Sequence, residues 1–529
     1  MKKIIIKTFI LFVVLGFWLL LLNSLLGATY YVDYVSGVDT ANGLTTATAW
    51  KHIPGDQAAT SNANITLAAG DTVVLHGGIT YALASNQYIE INNSGTVSNP
   101  ITYISGERYS TPWGSTAAEI NCTAFTLNWP SAVYLANKSY IVWDGIRVYN
   151  GPSSQDAGHI GGEGSAWSNI LIKNTEIGPG LCSGLSFRGT YDEPGPYPGS
   201  LTVTNCHIHD LTDGHGVFSR WGMTNLLVVN SLLHDIGAVG GDDPIGLFGV
   251  GAGSTHILRN TIIRGNEMYN VPIKSYVIQS ANVVDLIIEQ NYFHGGSGYS
   301  GIDINGPTTN MIIRNNLFVC TLSNFFGAIV FSTDKGSYTP SPFCDGVKIY
   351  NNTFSVNVLR DLYLEDALIF FSPGDSPNKP NFRNIDIRNN IIEATANTQT
   401  MIYVASDGAG SPIVDLATFT SDYNTYNWQT TSEEFGWNGV AKTFAQWKTT
   451  TGGDSHSTAS PVTFISSSDF HLSGSDTVAL NKGVTISEVN NDKDNISRPQ
   501  GIAYDIGAYE FIESAISILA PLSSIILLK

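Results

Sequence analysis

The chain predicts an all-β fold, a right-handed parallel β-helix closed by an N-terminal cap and a C-terminal capping region. Three observations predict it. First, a short apolar run ends in an amide nine times, at Asn150, Asn174, Asn205, Asn230, Asn260, Gln290, Asn315, Asn351 and Asn389. Second, successive amides lie 24, 31, 25, 30, 30, 25, 36 and 38 residues apart. A constant strand pattern with variable spacing describes coils of one cross-section carrying insertions of different length. Third, no stretch sustains a 3.6-residue apolar period, while β-branched residues fill the runs and Gly is abundant at 53. The right hand follows from the general preference of parallel crossovers.

Each element of a coil has its own signal. The first strand is the apolar run itself, for example Leu201-Thr-Val-Thr-Asn205 or Met311-Ile-Ile-Arg-Asn315. The amide that ends it marks a corner, because Asn tolerates the left-handed backbone a sharp corner needs. Amides at one corner of every coil can also bond to those above and below as a ladder. Three residues on, an apolar residue returns at Ile177, Ile208, Leu233, Ile263, Phe293, Phe318, Phe354 and Ile392. A second strand follows, in runs such as Leu185-Ser-Phe-Arg188, Val217-Phe-Ser-Arg220, Ile245-Gly-Leu-Phe248, Val277-Ile-Gln-Ser280 and Ile302-Asp-Ile-Asn305. Alternation turns its first and third residues inward and its second and fourth outward.

The ends of the chain read differently. Lys2-Lys3, an apolar stretch from Thr8 to Leu22 and Gly27-Ala28 form a secretory signal over residues 1–28. The expected organisation is then a cap and first coils over 29–139, the β-helix over 140–410, C-terminal coils and cap over 411–511, and an apolar tail over 512–529. With the signal removed, no stable membrane insertion is expected, and the protein is placed outside the cell or on its surface as a monomer. Charged residues are only 13 % and the net charge is −18, which argues against non-specific binding to nucleic acid. The five Cys form no CxxC pair and read as small buried apolar residues, not as a zinc site.

Towards the N-terminus come Thr29-Tyr-Tyr-Val-Asp33, Asn42-Gly43, Ala49-Trp-Lys-His-Ile-Pro-Gly55 and Ala69-Gly-Asp-Thr-Val-Val-Leu75. Towards the C-terminus come Ser421-Asp-Tyr-Asn424, Thr443-Phe-Ala-Gln-Trp447, Asp469-Phe-His-Leu472, Arg498-Pro499 and Asp505-Ile-Gly-Ala-Tyr-Glu-Phe511. This ordered series, over residues 29–511, resembles secreted, mostly bacterial β-helix proteins of the pectin-lyase-like superfamily. The resemblance implies the fold and a carbohydrate partner, but not one activity, since that superfamily holds lyases, hydrolases, epimerases and non-catalytic surface proteins. An open β-helix end must be covered, so Trp50, Trp447, Asp505 and Glu510 are read as cap residues. Asn490-Asn-Asp-Lys-Asp-Asn495 is a polar turn that could offer oxygens to calcium, although it lacks the Gly and terminal Glu of a helix-loop calcium site.

Departures from the repeat gather on the third to sixth coils. His209, His234, Arg264 and His294 each stand four residues past an amide, which predicts a file of stacked side chains. Just before the second strands, Asp213, His215, Asp242, Asp243 and Lys274 approach one face, from which Arg188, Arg220, Asp303 and Asn305 project. Trp167, Phe218, Trp221, Phe248, Tyr276 and Tyr299 lie nearby as surfaces on which sugar rings could stack.

Two chemistries compete for this face, with elimination ranked ahead because basic groups accompany the acids. In a lyase acting on a uronate-containing polysaccharide, Lys274 or Arg220 is the base and His215 the acid. Asp213, Asp242 and Asp243 would then hold calcium, and Arg188, Asp303, Asn305, Tyr276 and Trp221 would bind substrate. In a glycoside hydrolase, Asp213 with Asp242 or Asp243 stands about 5 Å apart on adjacent coils, near the retaining limit. Asp242 or Asp243 with Asp303, two coils apart at about 10 Å, is near the inverting limit. A non-catalytic adhesin or surface module, in which the repeat serves as a stiff rod, is the third reading.

Overall fold

The computed structural model describes residues 27–151, 158–189, 199–239, 241–249, 256–272, 275–296, 300–320, 327–332, 343–356, 367–373, 381–394, 400–428 and 434–513. Most of the expected signal, and the tail beyond residue 513, lie outside them. Among the described residues no helix is long and apolar enough to cross a membrane.

The chain winds as a right-handed parallel β-helix of three sheets, each with 13 described strands. The first sheet runs from Thr29–Val32 through Gly199–Thr204 to Phe419–Asp422. The second contains Ser183–Arg188, Val217–Arg220, Ile245–Phe248, Tyr276–Ala281 and Ser300–Ile304. The third is built of the short strands that follow each corner, such as His207–Leu211 and Leu232–Ile236. The apolar return after each amide is therefore a strand in its own right. Inward side chains of all three sheets stack coil upon coil into one core, as with Ile170, Leu201 and Leu226 in the first sheet. Each such fully buried aliphatic side chain contributes on the order of 1.5–3 kcal/mol.

The corner amides hold the left-handed backbone expected of them: Asn150, Asn174, Asn205, Asn230, Gln290, Asn315, Asn351 and Asn389 all have φ between 50° and 58°. The ladder, however, runs through the residue that follows each later corner. Asn266, Asn291, Asn316, Asn352, Asn390 and Asn424 are buried in a continuous file. Each of the first five donates its backbone N–H and side-chain amide to the Oδ1 of the next, at 2.9–3.0 Å.

Two registers differ from the sequence expectation. Val229 pairs with Arg264, so the corner of that coil is Gly265 at φ 66°, not Asn260. Glycine meets the same backbone demand there without a side chain. Arg264 therefore leaves the predicted His file and joins Arg314 in flanking Glu289, at 2.5 and 2.6 Å. Tyr269 takes the vacated place, between His234 and His294. In the second sheet Ile245 pairs with Ile278, which turns Ile278 and Ser280 inward and Gln279 outward.

Of the four residues expected at the ends, two lie there and two do not. Trp50 is buried in the main core near the start, and Trp447, on the helix Phe444–Thr451, packs against Phe435 near the end. Asp505 and Glu510 are not end caps. They belong to a segment that returns along the side of the β-helix, where Asn389 donates to Val484 O, Asn351 to Asp505 O and Gln290 to Asp492 O. Asp492 accepts backbone N–H groups on both oxygens, which gives the Asn490–Asn495 turn a structural use. All five Cys are buried.

Candidate functional site

Two loops bring the departures from the repeat together on the outer face of the second sheet. The loop before Val217–Arg220 carries Asp213 and His215, and the loop before Ile245–Phe248 carries Asp242 and Asp243. They dock in register: Gly216 N–H donates to Asp243 O at 3.0 Å and Val217 N–H to Pro244 O at 2.9 Å. The stacking of coils that pairs the strands thus also pairs the loops.

His215 lies at the centre. Its ring is buried, stacked on Phe218 at 4.6 Å and 9°, and passes over Gly246, where a Cβ would stand 2.8 Å from Nδ1. The Asp243 N–H donates to Nδ1 at 3.0 Å. Nδ1 is therefore an acceptor and the ring proton sits on Nε2, 3.4 Å from Asp242 Oδ1. Burial, and then the nearby Arg220 charge, push the imidazole down to about 3, so it stays neutral.

The two neighbouring carboxyls move the other way. Asp242 is pushed up to about 6, first by burial and then by the Asp213 charge. Asp243 is raised further by complete burial, with Asp242 and Asp303 adding to the effect, although its Oδ1 accepts the Tyr276 N–H at 2.8 Å. Asp242 Oδ2 and Asp243 Oδ2 are buried without a hydrogen-bond partner. A buried carboxyl held neutral near pH 6 beside a second carboxyl is an arrangement for proton transfer.

Around this centre lie a cationic and aromatic strip and a second acid. Arg188 and Arg220 are register partners on adjacent coils. Arg188 stands 3.7 Å from the Trp129 ring centre and 5.1 Å from that of Trp221, and Arg220 stands 4.9 Å from Trp221. Two coils beyond Asp243, Asp303 accepts from Gln279 at 3.2 Å and from Ser332 at 2.9 Å. Asn305 follows that strand, its N–H donating to Ser280 O at 2.7 Å.

The structure thus gathers Asp213, His215, Asp242 and Asp243, with Arg220, Trp221 and Tyr276 at the edge, Arg188 one coil back and Asp303 further on. Lys274 and Tyr299 lie outside the described residues. Trp167 is buried against Phe187 and is not a sugar platform. Sequence reasoning missed Trp129, which carries no repeat signal, and Gln279, whose outward place depended on the one-residue register correction.

Asp213, Asp242 and Asp243 lie on neighbouring loops, but among the described residues they do not bring three ligand oxygens within 4.8 Å of one another, so the expected calcium set is not assembled.

No family model matches this chain, and no curated protein does. Among solved structures it is similar to XylC in complex with xylose, at 11 % identity and TM-score 0.48, covering 92 % of this chain and 98 % of that one. It is also similar to a lacto-N-biosidase of family GH136 from Eubacterium ramulus, at 15 % and 0.42, covering 78 % and 68 %. A third is pectate lyase Pel9A, at 15 % and 0.36, covering 92 % and 96 %. What the chain shares with them is the winding of its backbone.

Proposed function

We propose that the protein is exported, binds a polysaccharide along the outer face of the second sheet, and cleaves it by carboxyl acid–base chemistry at Asp242 and Asp213. The observation that carries this reading is the Asp242 carboxyl, pushed up to about 6 beside Asp213 and held at the Nε2 face of a neutral His215. Protonated Asp242 donates to the glycosidic oxygen. Asp213, one coil back, attacks the anomeric carbon as that bond breaks, and the deprotonated Asp242 then activates the water that releases the sugar from Asp213; the coil spacing of about 5 Å matches this retaining geometry. His215, whose one proton faces Asp242, positions that carboxyl and does not itself serve as the acid. Trp221 and Trp129 offer ring faces to the sugar, and the cations beside them restrict its orientation. The export reading rests on the Lys2-Lys3 start and the apolar run after it.

Elimination is the second reading, favoured by the Arg188–Arg220 pair. With Lys274 as base, the two adjacent guanidinium groups would neutralise a uronate carboxylate; with Arg220 as base, Arg188 and calcium on the three Asp would do so.

The test is a panel of neutral and uronate-containing polysaccharides, with and without calcium, read for new reducing ends and for absorbance near ~235 nm from the conjugated product of elimination. New ends without absorbance are the expected result, abolished in Asp242→Asn while binding persists. Ends with absorbance establish elimination. Binding without either leaves a non-catalytic module and overturns both enzymatic readings.

A further inference from the structure

A second cluster lies on the outer face of the third sheet, round the corner from the carboxyls. His207 and His209 flank the inward Ile208 on the strand His207–Leu211, so both rings face out. His234, on the next coil, is the register partner of His209. The three rings have centres 4.1, 5.0 and 5.4 Å apart, and one ligand atom from each lies within 4.8 Å of the others. Among the described residues this is the one such convergence of His, Cys, Asp or Glu.

Two of the rings are held by carboxylates. His209 Nδ1 is 2.7 Å from Asp210 Oδ2, and His234 Nδ1 is 2.6 Å from Asp235 Oδ2. A carboxylate only accepts, so each Nδ1 carries a proton; the His234 Nε2 then presents its lone pair, whereas His209 Nε2, which also faces a carboxylate, and His207 Nε2, which donates to His234, each give up a proton when an ion binds. The same turn sets both Nδ1 contacts: Asp210 and Asp235 are left-handed at φ 52° and 54°, which folds each carboxylate back onto the preceding ring. The third ring meets this arrangement directly, with His207 Nε2 at 2.8 Å from His234 Nε2. Glu176, one coil back and bound by Arg147 at 2.9 Å, places Oε1 3.3 Å from His209 Nε2. Tyr269 stacks on His234 at 4.6 Å and closes the far side.

We propose that His207, His209 and His234 form a binding site for a divalent transition ion of the zinc, copper or nickel class, through their Nε2 atoms, with Asp210 and Asp235 as orienting partners. An all-nitrogen donor set selects such ions over calcium. Tetrahedral zinc with bonds of about 2.0–2.1 Å needs its nitrogens about 3.3 Å apart. His207 and His234 therefore part by roughly half an ångström to admit the ion. Glu176 Oε1 or water fills the fourth position. The ion ties two successive coils together on a face separate from the carboxyl site.

The experiment uses the chain without a polyhistidine tag, stripped with chelator and titrated with zinc by calorimetry and with cobalt by visible absorption. Expected is one saturable equivalent, a tetrahedral cobalt spectrum and a zinc-dependent rise in Tm. His207→Gln and His234→Gln should each remove the cobalt spectrum, and Asp235→Asn should weaken binding roughly 10- to 100-fold. His294→Gln, in the same aromatic file but paired with Glu267, should change nothing. Far-UV circular dichroism of the metal-free variants shows that they fold. Absence of saturable binding, or binding unchanged in both His207→Gln and His234→Gln, overturns the proposal.

Discussion

Asp242 and His215 show how a repeat is turned into a site by two side chains. The imidazole is denied its charge by burial, and the carboxyl beside it is raised by the same burial and by Asp213. The stability consequence has a definite sign. A carboxyl raised from about 4 to about 6 binds more protons in the folded chain than in the unfolded one across that window. Stability therefore falls as pH rises from about 4 to about 6, and the penalty is constant above. The side chain is 14 % exposed, so solvent relieves little of it. Asp242→Asn keeps an oxygen for His215 but removes the ionisation. It should raise stability at pH 8 by an amount on the order of 2–3 kcal/mol and leave it unchanged at pH 3, as read from urea midpoints. A gain independent of pH would show that Asp242 is not the titrating group. The acid role gives a matching prediction for activity: the rate of cleavage falls as pH rises through about 6.

At the scale of the strand and its corner, two adjacent amides divide two tasks. Asn315 takes the left-handed corner at φ 54°, and Asn316 carries the buried ladder. In sequence the pair is visible as doublets at Gln290-Asn291, Asn315-Asn316, Asn351-Asn352 and Asn389-Asn390, but nothing in the letters says which member faces the core. The corner was legible because Asn marks left-handed backbone. The ladder was not, because earlier coils put Thr175, Cys206 and Ser231 in its place. The slip at Asn260 has a similar cause: His256-Ile-Leu-Arg-Asn260 and Thr261-Ile-Ile-Arg-Gly265 carry nearly the same pattern, and only stacking on Val229 selects the second. The site residues were legible as departures from the repeat, whereas the His215 tautomer was not, since it depends on how two loops dock. The two amide tasks predict opposite sensitivities. Asn316→Ala strips the acceptor from the Asn291 N–H and side-chain amide and the donor from Ile288 O, all buried, and should cost about 2–4 kcal/mol. Asn205→Gly, at an exposed corner with φ 52°, should be nearly neutral, while Asn205→Val should cost about 1–2 kcal/mol. Chemical denaturation of the three variants checks the order.

At the scale of the whole molecule, the C-terminal segment turns back along the coils and binds them as a strap. It meets Asn389, Asn351, Asn315 and Gln290, corners of four coils, and its own apolar residues Ile486, Tyr504, Ile506 and Tyr509 pack against Tyr350, Ile391 and Leu317. Arg498 is the fastening. It is fully buried, pairs with Glu510 at 2.6 Å, and donates to Asn315 Oδ1 at 3.2 Å and Gly507 O at 2.8 Å. The strap contributes no strand to the three sheets, so its release need not unwind them. Removing one member of a buried ion pair leaves the other charge desolvated, at a cost of about 3–5 kcal/mol, whereas replacing both by apolar groups costs far less. Arg498→Met should therefore open residues 460–513 to limited proteolysis while the β-sheet circular dichroism persists. Arg498→Met combined with Glu510→Leu should restore much of the resistance. If the single variant resists protease like the parent chain, the strap is held by its apolar contacts and the buried pair is dispensable. If the single variant instead loses its sheet signal, strap and coils fold as one cooperative unit.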